Sequence, residues 1–444
     1  MPSARGVLGL LSGLLFLATV ASGQTPVDSS LWSYINSIRA IDSHAHPMRP
    51  VAAGAPADTE YDALPLDAIP PFAFPARLAG TDPIWRAAQA ALYAVPAAAN
   101  DSLYKEGVKS AATRAIRERG LRFPEWALDQ AGIDVMLANR IAMGPGLAAP
   151  RFRWVTFVDA LMLPLDTRRE AARSPDTRSL YWKEAALLHR YMRELGVAKL
   201  PPTLDAYIAS IVTPMLERQH EGGAVAVKFE AAYLRPLDFA DPNPAEARRV
   251  YARYFGGGTP SGAEYKSLED YLFRVIAREA GRLDESVQIH TLEDFGGFYQ
   301  ASGATPFQLE PTFNDSTLRK TNFIIVHGGW PFYAQTEAML GKPNVYADIS
   351  MMDILLPPTQ LAPVLRQWLT QWPDKVLFGT DSFDGGAEQG WEQVAWVGAT
   401  TARRGLAMAL TGMLRDGEVT RERAKELARM VLRENAVKAY RRLP

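Results

Sequence analysis

The sequence predicts an α/β protein, a (β/α)8 TIM-type barrel with helical insertions after strands 1 and 3 that cap its C-terminal face. Short apolar runs recur along the 444 residues, and helical patterns separate the last four of them. Runs such as "AVAVKF" and "NFIIV" are almost continuously apolar, which is typical of parallel strands covered on both faces. Eight such runs favour a closed barrel.

The predicted strands span residues 39–46, 133–139, 153–159, 224–229, 286–290, 322–327, 344–349 and 375–380. The second and third runs are also compatible with a small subdomain. Long segments rich in helical patterns follow strands 1 and 3, at residues 47–130 and 166–220. In a barrel such insertions leave the C-terminal strand ends, where active sites are built.

Residues 1–23 predict a signal peptide. Arg5 supplies a positive start, an apolar stretch over residues 7–20 follows, and Ala21 and Gly23 fit a cleavage site before Gln24. A membrane anchor or a buried helix is the alternative, but the stretch is short for a bilayer span. We therefore expect a secreted or periplasmic protein without a stable membrane anchor, in which residues 24–444 form a single barrel domain.

The composition narrows the partners of the chain. It is 48% apolar and 22% charged, with a net charge of −1, so no basic excess points to nucleic acid or an anionic membrane. We expect a small-molecule substrate, and a homo-oligomer stays open. No cysteine is present, which excludes disulfides and thiolate metal ligands and suits an oxidising compartment.

His44 and His46 lie one residue apart at the end of strand 1, so strand alternation turns both side chains to one face. This pair is a bidentate start for a metal site. His290 and His327 each end a predicted buried strand, where the alternative is a core histidine that is satisfied by hydrogen bonds. The remaining histidines, His189 and His220, lie in amphipathic helical patterns, and we interpret them as structural.

Two further residues fit this constellation. Asp381 follows "KVLFGT" at the end of strand 8, although an aspartate there is also common as a helix cap or turn residue. Lys228 lies inside the apolar run "AVAVKF", where burial of a lysine is costly unless the chain extends to the rim. Desolvation favours a neutral amine, which can add CO2 to form a carbamate. A carbamate would bridge two cations.

The order of these residues along the strands resembles the amidohydrolase superfamily. Segments such as "GIDVMLANR", "VKFEAAYLRPL" and "LRENAVKAY" are similar to its amidohydrolase-related branch, which includes amidohydrolase domains fused to glutamine synthetase. The resemblance implies one or two divalent metals per chain, zinc before manganese, iron or nickel. The residues it marks as ligands are His44, His46, Lys228, His290, His327 and Asp381.

Two arrangements of the metal are implied by the resemblance. In the binuclear form, His44, His46, Lys228 and Asp381 hold the first ion, and Lys228, His290 and His327 hold the second. In the mononuclear form, the His44–His46 pair, one later histidine and Asp381 suffice, and the other histidine polarises the substrate. The buried Lys228 favours two metals.

These features predict a metal-dependent hydrolase that cleaves an amide, ester or lactone bond of a small to medium substrate. A bound cation lowers the pKa of water toward about 7 and so supplies hydroxide. Asp381 would carry the proton to the leaving group, and His327 or a second ion would polarise the carbonyl. The alternative on the same fold is a mononuclear decarboxylase or hydratase acting on a small carboxylic acid.

Candidate substrate contacts are Tyr233, Arg235 and Trp330. Arg235 suits a substrate carboxylate through two parallel hydrogen bonds. Relatives often carry the arginine one position earlier, where this chain has Leu234. Arg140 and Asp159 end strands 2 and 3, and each either supports the site or forms an ion pair at its rim.

Overall fold

The computed structural model describes residues 27–51, 54–65, 75–80, 82–95, 101–173, 176–292, 300–386 and 389–443. The predicted signal peptide at residues 1–23 lies outside the described residues and stays a prediction. Among the helices of the described part, none combines the length and apolar character needed to cross a bilayer.

Eight parallel strands form one sheet in which sequence neighbours pair in order. Strands β8 and β1 approach each other, because Ser43 N–H donates to Phe378 O at 2.9 Å and His46 N–H donates to Ser382 O at 2.8 Å. The predicted (β/α)8 barrel is confirmed. The strands are β1 Ala40–Ala45, β2 Ile133–Asn139, β3 Phe152–Phe157, β4 Ala224–Phe229, β5 Ser286–His290, β6 Phe323–Val326, β7 Val345–Asp348 and β8 Val376–Leu377.

Strand boundaries follow the apolar runs closely, except in β8. Strands β2, β4 and β5 have the predicted bounds. Strand β8 is shorter than predicted, although the chain beyond it stays hydrogen-bonded to the β1 backbone, where Asp381 N–H donates to His44 O at 2.7 Å. Thr380 N–H donates to Asp42 Oδ1 at 3.0 Å. Asp381 then adopts a φ of 50°, which ends the extended conformation.

Helices in the described residues surround the sheet and fill the connections. Short π-helical segments join α8 to α9 and α17 to α18. The α-helices are α1 Ser29–Ser37, α2 Pro83–Tyr93, α3 Asp101–Arg119, α4 Phe123–Gln130, α5 Asp159–Met162, α6 Arg168–Arg173, α7 Arg178–Glu194, α8 Leu204–Tyr207, α9 Thr213–Glu221, α10 Pro244–Tyr254, α11 Gly262–Arg282, α12 Glu310–Phe313, α13 Tyr333–Leu340, α14 Met352–Leu355, α15 Pro358–Gln371, α16 Trp391–Arg415, α17 Arg421–Arg429 and α18 Asn435–Ala439.

Local chemistry explains where several helices begin. The Asp82 carboxylate caps α2 by accepting from Ile84 N–H, and Pro83 occupies the first helical position. At the start of α11, Ser261 and Glu264 form a reciprocal capping box.

Side chains of the strands alternate between two apolar layers. Val135 and Leu137 of β2 and Ile324 of β6 belong to an inner layer. Tyr440, near the C-terminus of the chain, packs in the same layer. The intervening residues, such as Met136, pack outward in a larger layer shared with the helices. The polar residues at the strand ends therefore stand above a filled interior, as expected for a barrel.

The segment after β1 is clamped to the barrel by a buried ion pair. Arg140, which follows β2, places Nη2 2.9 Å from both carboxylate oxygens of Asp58, and neither side chain is exposed. Arg140 Nη1 also donates to Pro47 O at 2.6 Å. Arg140 thus positions the residues that follow the His44–His46 pair.

Substitution Asp58→Asn should destabilise the fold by about 3–5 kcal/mol, because it leaves the Arg140 guanidinium buried without its counter-charge. Urea denaturation measures the free energy of unfolding. The matched control is Asp374→Asn, whose Lys438 partner at 2.7 Å is exposed, and it should cost less than about 1 kcal/mol. Equal losses for both variants would contradict the role of the clamp.

Candidate metal centre

The residues predicted as ligands come together at the C-terminal end of the barrel. His44 lies in β1 and His46 just beyond it, Lys228 lies in β4, and His290 ends β5. His327 follows β6, and Asp381 follows β8. Apart from Asp381, whose side chain is 14% exposed, these residues are buried.

The first group of potential ligand atoms surrounds His44 Nε2. Asp381 Oδ1 lies 3.1 Å from it and 3.6 Å from His46 Nε2. One ligand atom from each of His44, His46 and Asp381 lies within 4.8 Å of the others. Two ligands of one tetrahedral zinc ion, each at about 2.0–2.1 Å, are roughly 3.4 Å apart. The three side chains therefore fit a shared cation without rearrangement of the backbone.

The second group joins the first through His327. His290 Nδ1 lies 3.2 Å from His327 Nε2, which again is a ligand-to-ligand separation. The ring centroids of His327 and His44 are 5.1 Å apart. Lys228 Nζ lies 3.1 Å from His44 Nε2 and is fully buried, so its amine is at the first group. The His290–His327 pair thus lies beside the first group.

Hydrogen bonds orient the His44 ring. Gln288 Oε1 lies 2.8 Å from His44 Nδ1, and the Gln288 amide is fixed because its Nε2 donates to Ser43 O and to the Tyr440 hydroxyl, both at 2.8 Å. Nδ1 must therefore carry the proton and donate to Gln288. The Nε2 lone pair is left facing Asp381. The side-chain amide nitrogen of Asn139 lies 2.9 Å from His44 Nδ1. With the amide rotated by 180°, its oxygen takes that place and accepts a hydrogen bond from the same N–H.

The backbone turns His327 into the site. Val326 already faces the inner layer, so a regular strand would turn the next side chain outward. His327 instead adopts a φ of 64°, a left-handed conformation that costs about 1–3 kcal/mol for a non-glycine residue. Its Nδ1 lies 2.9 Å from Ser350 Oγ, whose hydroxyl donates to Asp348. Nε2 is thereby left as the nitrogen that faces His290.

Burial keeps these imidazoles neutral. Burial, followed by the neighbouring Lys228 charge, lowers the pKa of His44 well below its ordinary value. Burial also lowers the pKa of His327 strongly. A neutral imidazole has the lone pair that a metal requires.

Buried carboxyl groups crowd the same end of the barrel. Burial raises the pKa of Asp42 and Asp159 to about 7 and that of Asp348 to about 6. It also raises the pKa of Asp353 and Glu184 well above the ordinary range. Such an excess of acid over base is the electrostatic environment of a cation site.

The three predicted substrate contacts, Tyr233, Trp330 and Arg235, have different surroundings. The Tyr233 ring lies 4.4 Å from the His290 ring, and Trp330 packs in an apolar cluster with Leu78 and Ile354. Arg235, however, donates to Glu269 and to Asp270, each at 2.8 Å, through its two terminal nitrogens. Arg235 is thus a member of a buried ion-pair group, and its role as a receptor for a substrate carboxylate stays a prediction.

Sequence reasoning missed several residues that touch the ligands. Gln288 precedes His290 by two positions and Glu230 follows Lys228 by two, so strand alternation could have placed both beside the ligands. Asp62, whose Oδ2 lies 3.3 Å from His46 Nδ1, comes from the insertion after β1 and carries no sequence signal. Of the residues left open, Arg140 holds Asp58, and Asp159 accepts from Glu230 N–H at 2.8 Å.

A scan against protein-family models matches residues 212–442, more than half of the chain, to the Amidohydrolase family model Amidohydro_2. The chain belongs to the amidohydrolase family. The matched region of this amidohydrolase contains Lys228, His290, His327 and Asp381. The His44–His46 pair precedes it, and the fold brings the pair to the same place. A search of curated proteins found no match.

Solved structures share the fold of this amidohydrolase. One is a Lactobacillus casei protein described as a metal-dependent hydrolase, with a TM-score of 0.58 and 15% identity over 94% of this chain and all of that one. Another is a glucuronate isomerase from Caulobacter crescentus, with a TM-score of 0.55 and 12% identity over 93% of each chain. At these identities the likeness establishes the barrel alone.

Without metal, the amidohydrolase should lose stability as the pH rises from about 4 to about 7. Burial raises the pKa of Asp42 and Asp159 to about 7, whereas an unfolded aspartate titrates near 3.9. The folded state keeps these protons, so the stabilisation is complete below about 4 and is lost through about 7. Calorimetry of chelator-treated protein should give a lower Tm at pH 8 than at pH 5.

Zinc provides the control for this experiment. Added at pH 8, it should raise the Tm, because it binds the folded state and offsets the carboxylate charges. A Tm of the metal-free protein that increases from pH 5 to pH 8 would contradict the account.

Proposed function

We propose that this amidohydrolase is a metal-dependent hydrolase that cleaves an amide, ester or lactone bond of a small to medium substrate. The observation that carries the proposal is the convergence of His44, His46 and Asp381, with one ligand atom each within 4.8 Å of the others. Imidazole and carboxylate ligands without thiolates suit zinc, manganese, iron or nickel, and we favour zinc.

Lys228 decides how many ions the site would hold. Its Nζ lies among the ligand atoms, 3.1 Å from His44 Nε2, where an ammonium would repel a cation. Addition of CO2 to the neutral amine, with release of a proton, would replace that positive charge with a carbamate anion. We propose that a Lys228 carbamate would hold one ion together with His44, His46 and Asp381, and a second together with His290 and His327.

When bound, a divalent cation supplies a nucleophile from water at neutral pH and polarises the scissile carbonyl. Asp381 is suited to move the proton, because its side chain, at 14% exposed, is the most exposed member of the first group. It would accept a proton from the attacking water and deliver it to the leaving amine or alkoxide. In the mononuclear arrangement, His327, held by Ser350, would instead polarise the substrate carbonyl.

Isotopic labelling distinguishes hydrolysis from the lyase reaction. Hydrolysis in water enriched in oxygen-18 places the label in the acid product. Release of CO2 without label would instead indicate the decarboxylase alternative.

His44→Ala should remove both bound zinc and turnover, because Nε2 of His44 faces Asp381 and lies beside Lys228. Zinc content by mass spectrometry and hydrolysis of an amide and ester panel measure these effects. The control is His189→Ala, an exposed residue of α7, which should keep zinc and activity within about twofold of the parent. Full zinc content in His44→Ala would refute the site.

Lys228→Met should limit the protein to about one zinc per chain, because the bridging ligand is gone. Parent protein stripped of metal and reloaded in bicarbonate should take up about two zinc ions, and fewer when CO2 is excluded. Equal stoichiometry with and without bicarbonate would contradict the carbamate.

A further inference from the structure

A second acidic feature adjoins the proposed metal centre, on the side of His46 that faces away from Asp381. Asp62 comes from the insertion after β1, and Glu230 follows β4 directly. One carboxylate oxygen from each, together with a ring nitrogen of His46, lies within 4.8 Å of the others. We call Asp62 and Glu230 the carboxylate pair.

The carboxylate pair has buried oxygen atoms that lack partners. Glu230 is 2% exposed, and its Oε2 accepts no hydrogen bond from any described residue. Behind the pair, Glu184 is 1% exposed, and both of its carboxylate oxygens are equally unsatisfied within the described part of the chain. Buried polar atoms are rarely left in this state, so these oxygens point to a ligand that donates hydrogen bonds or brings positive charge.

The charge around the carboxylate pair specifies the sign of that ligand. Asp159 and Glu184 add two further buried carboxyls beside Glu230. Arg235, which was expected to receive a substrate carboxylate, is already bound by Glu269 and Asp270. An anionic group would meet repulsion here, whereas a cation would meet complementary charge.

Asp62 connects the carboxylate pair to solvent. Its side chain is 16% exposed. It lines a cavity of about 360 Å³ between residues 59–65 and α7, whose walls also carry Lys183, Arg190 and Arg193. A ligand can therefore reach Asp62 from outside, and a carboxylate oxygen of Glu230 lies within 4.8 Å of an Asp62 oxygen.

The proton on Nδ1 of His46 favours an organic cation over another metal ion at the carboxylate pair. In the proposed centre, Nε2 of His46 faces Asp381, so Nδ1 keeps its proton and cannot also be a ligand. A metal ion at the pair would have only the carboxylates. An ammonium group supplies three donors, which matches two carboxylates with open oxygens.

We propose that Asp62 and Glu230 bind a positively charged group of the substrate, an ammonium or guanidinium, next to the bond that is hydrolysed. This inference rests on the proposed function, since it names the substrate class of the same site. Asp62 and Glu230 are thus specificity-determining residues, and His46 connects them to the metal centre.

The test uses two probes that differ in charge, alanine p-nitroanilide and N-acetylalanine p-nitroanilide, with the zinc-loaded full chain. Titration calorimetry should show the free amine bound roughly 10- to 100-fold tighter, as for a charge-assisted hydrogen bond that is shielded from water. Asp62→Asn and Glu230→Gln should each reduce this preference at least severalfold and leave binding of the acetylated probe within about twofold.

Glu60→Gln is the matched control. Glu60 lines the same cavity and carries the same charge, but Arg190 holds it at 2.7 Å. This variant should keep the preference for the free amine. The comparison distinguishes the loss of a direct contact with the ammonium group from the general effect of removing one negative charge from the cavity.

Several results would overturn the inference. They are equal or tighter binding of the acetylated probe, a preference that survives both substitutions, binding of neither probe, or loss of a zinc equivalent in Asp62→Asn, which would make the pair a metal site. Preferential binding of the free amine without hydrolysis of any panel compound would support the subsite and count against the proposed hydrolase.

Discussion

Excess negative charge, buried where the strands of the barrel end, is the constraint on which the rest of the structure depends. Asp42, Asp348 and Asp353 lie on one side of the centre, and Asp159 and Glu184 lie on the other. Water cannot solvate these groups, so they must hold protons or meet cations. Without metal, Lys228 is the basic group in their midst; with a Lys228 carbamate, divalent ions would supply the positive charge. The neutral histidines between the two acidic groups are suited to hold such ions.

The backbone conformation at two of the predicted ligands is unusual. His327 and Asp381 both have left-handed φ values, of 64° and 50°, and His327 follows a strand whose regular continuation would turn its side chain away. Unfavourable conformations of this kind persist only where the surroundings determine them, and they concentrate at functional sites. The apolar layers below and the Arg140–Asp58 clamp beside β1 provide that support. Stability and site geometry are therefore linked through the same strand ends.

Much of the barrel and of the ligand set could be predicted, because short stretches of consecutive residues indicate both. Uninterrupted apolar runs marked β2, β4 and β5, and a histidine or lysine inside or at the end of such a run is conspicuous. Asp62 could not be predicted, since its place beside His46 depends on how the insertion after β1 folds back. The partners of Arg235 were equally hidden, because Glu269 and Asp270 lie on α11, far along the chain. Local pattern reveals strands and their ends, whereas pairing across insertions is a property of the tertiary fold.

The most direct measurement is anomalous X-ray diffraction from crystals of the zinc-loaded protein, recorded on both sides of the zinc absorption edge. An anomalous peak is expected at about 2.0–2.2 Å from Nε2 of His44, Nε2 of His46 and a carboxylate oxygen of Asp381. Zinc bound elsewhere on the chain, with these three side chains making no contact to it, would contradict the account.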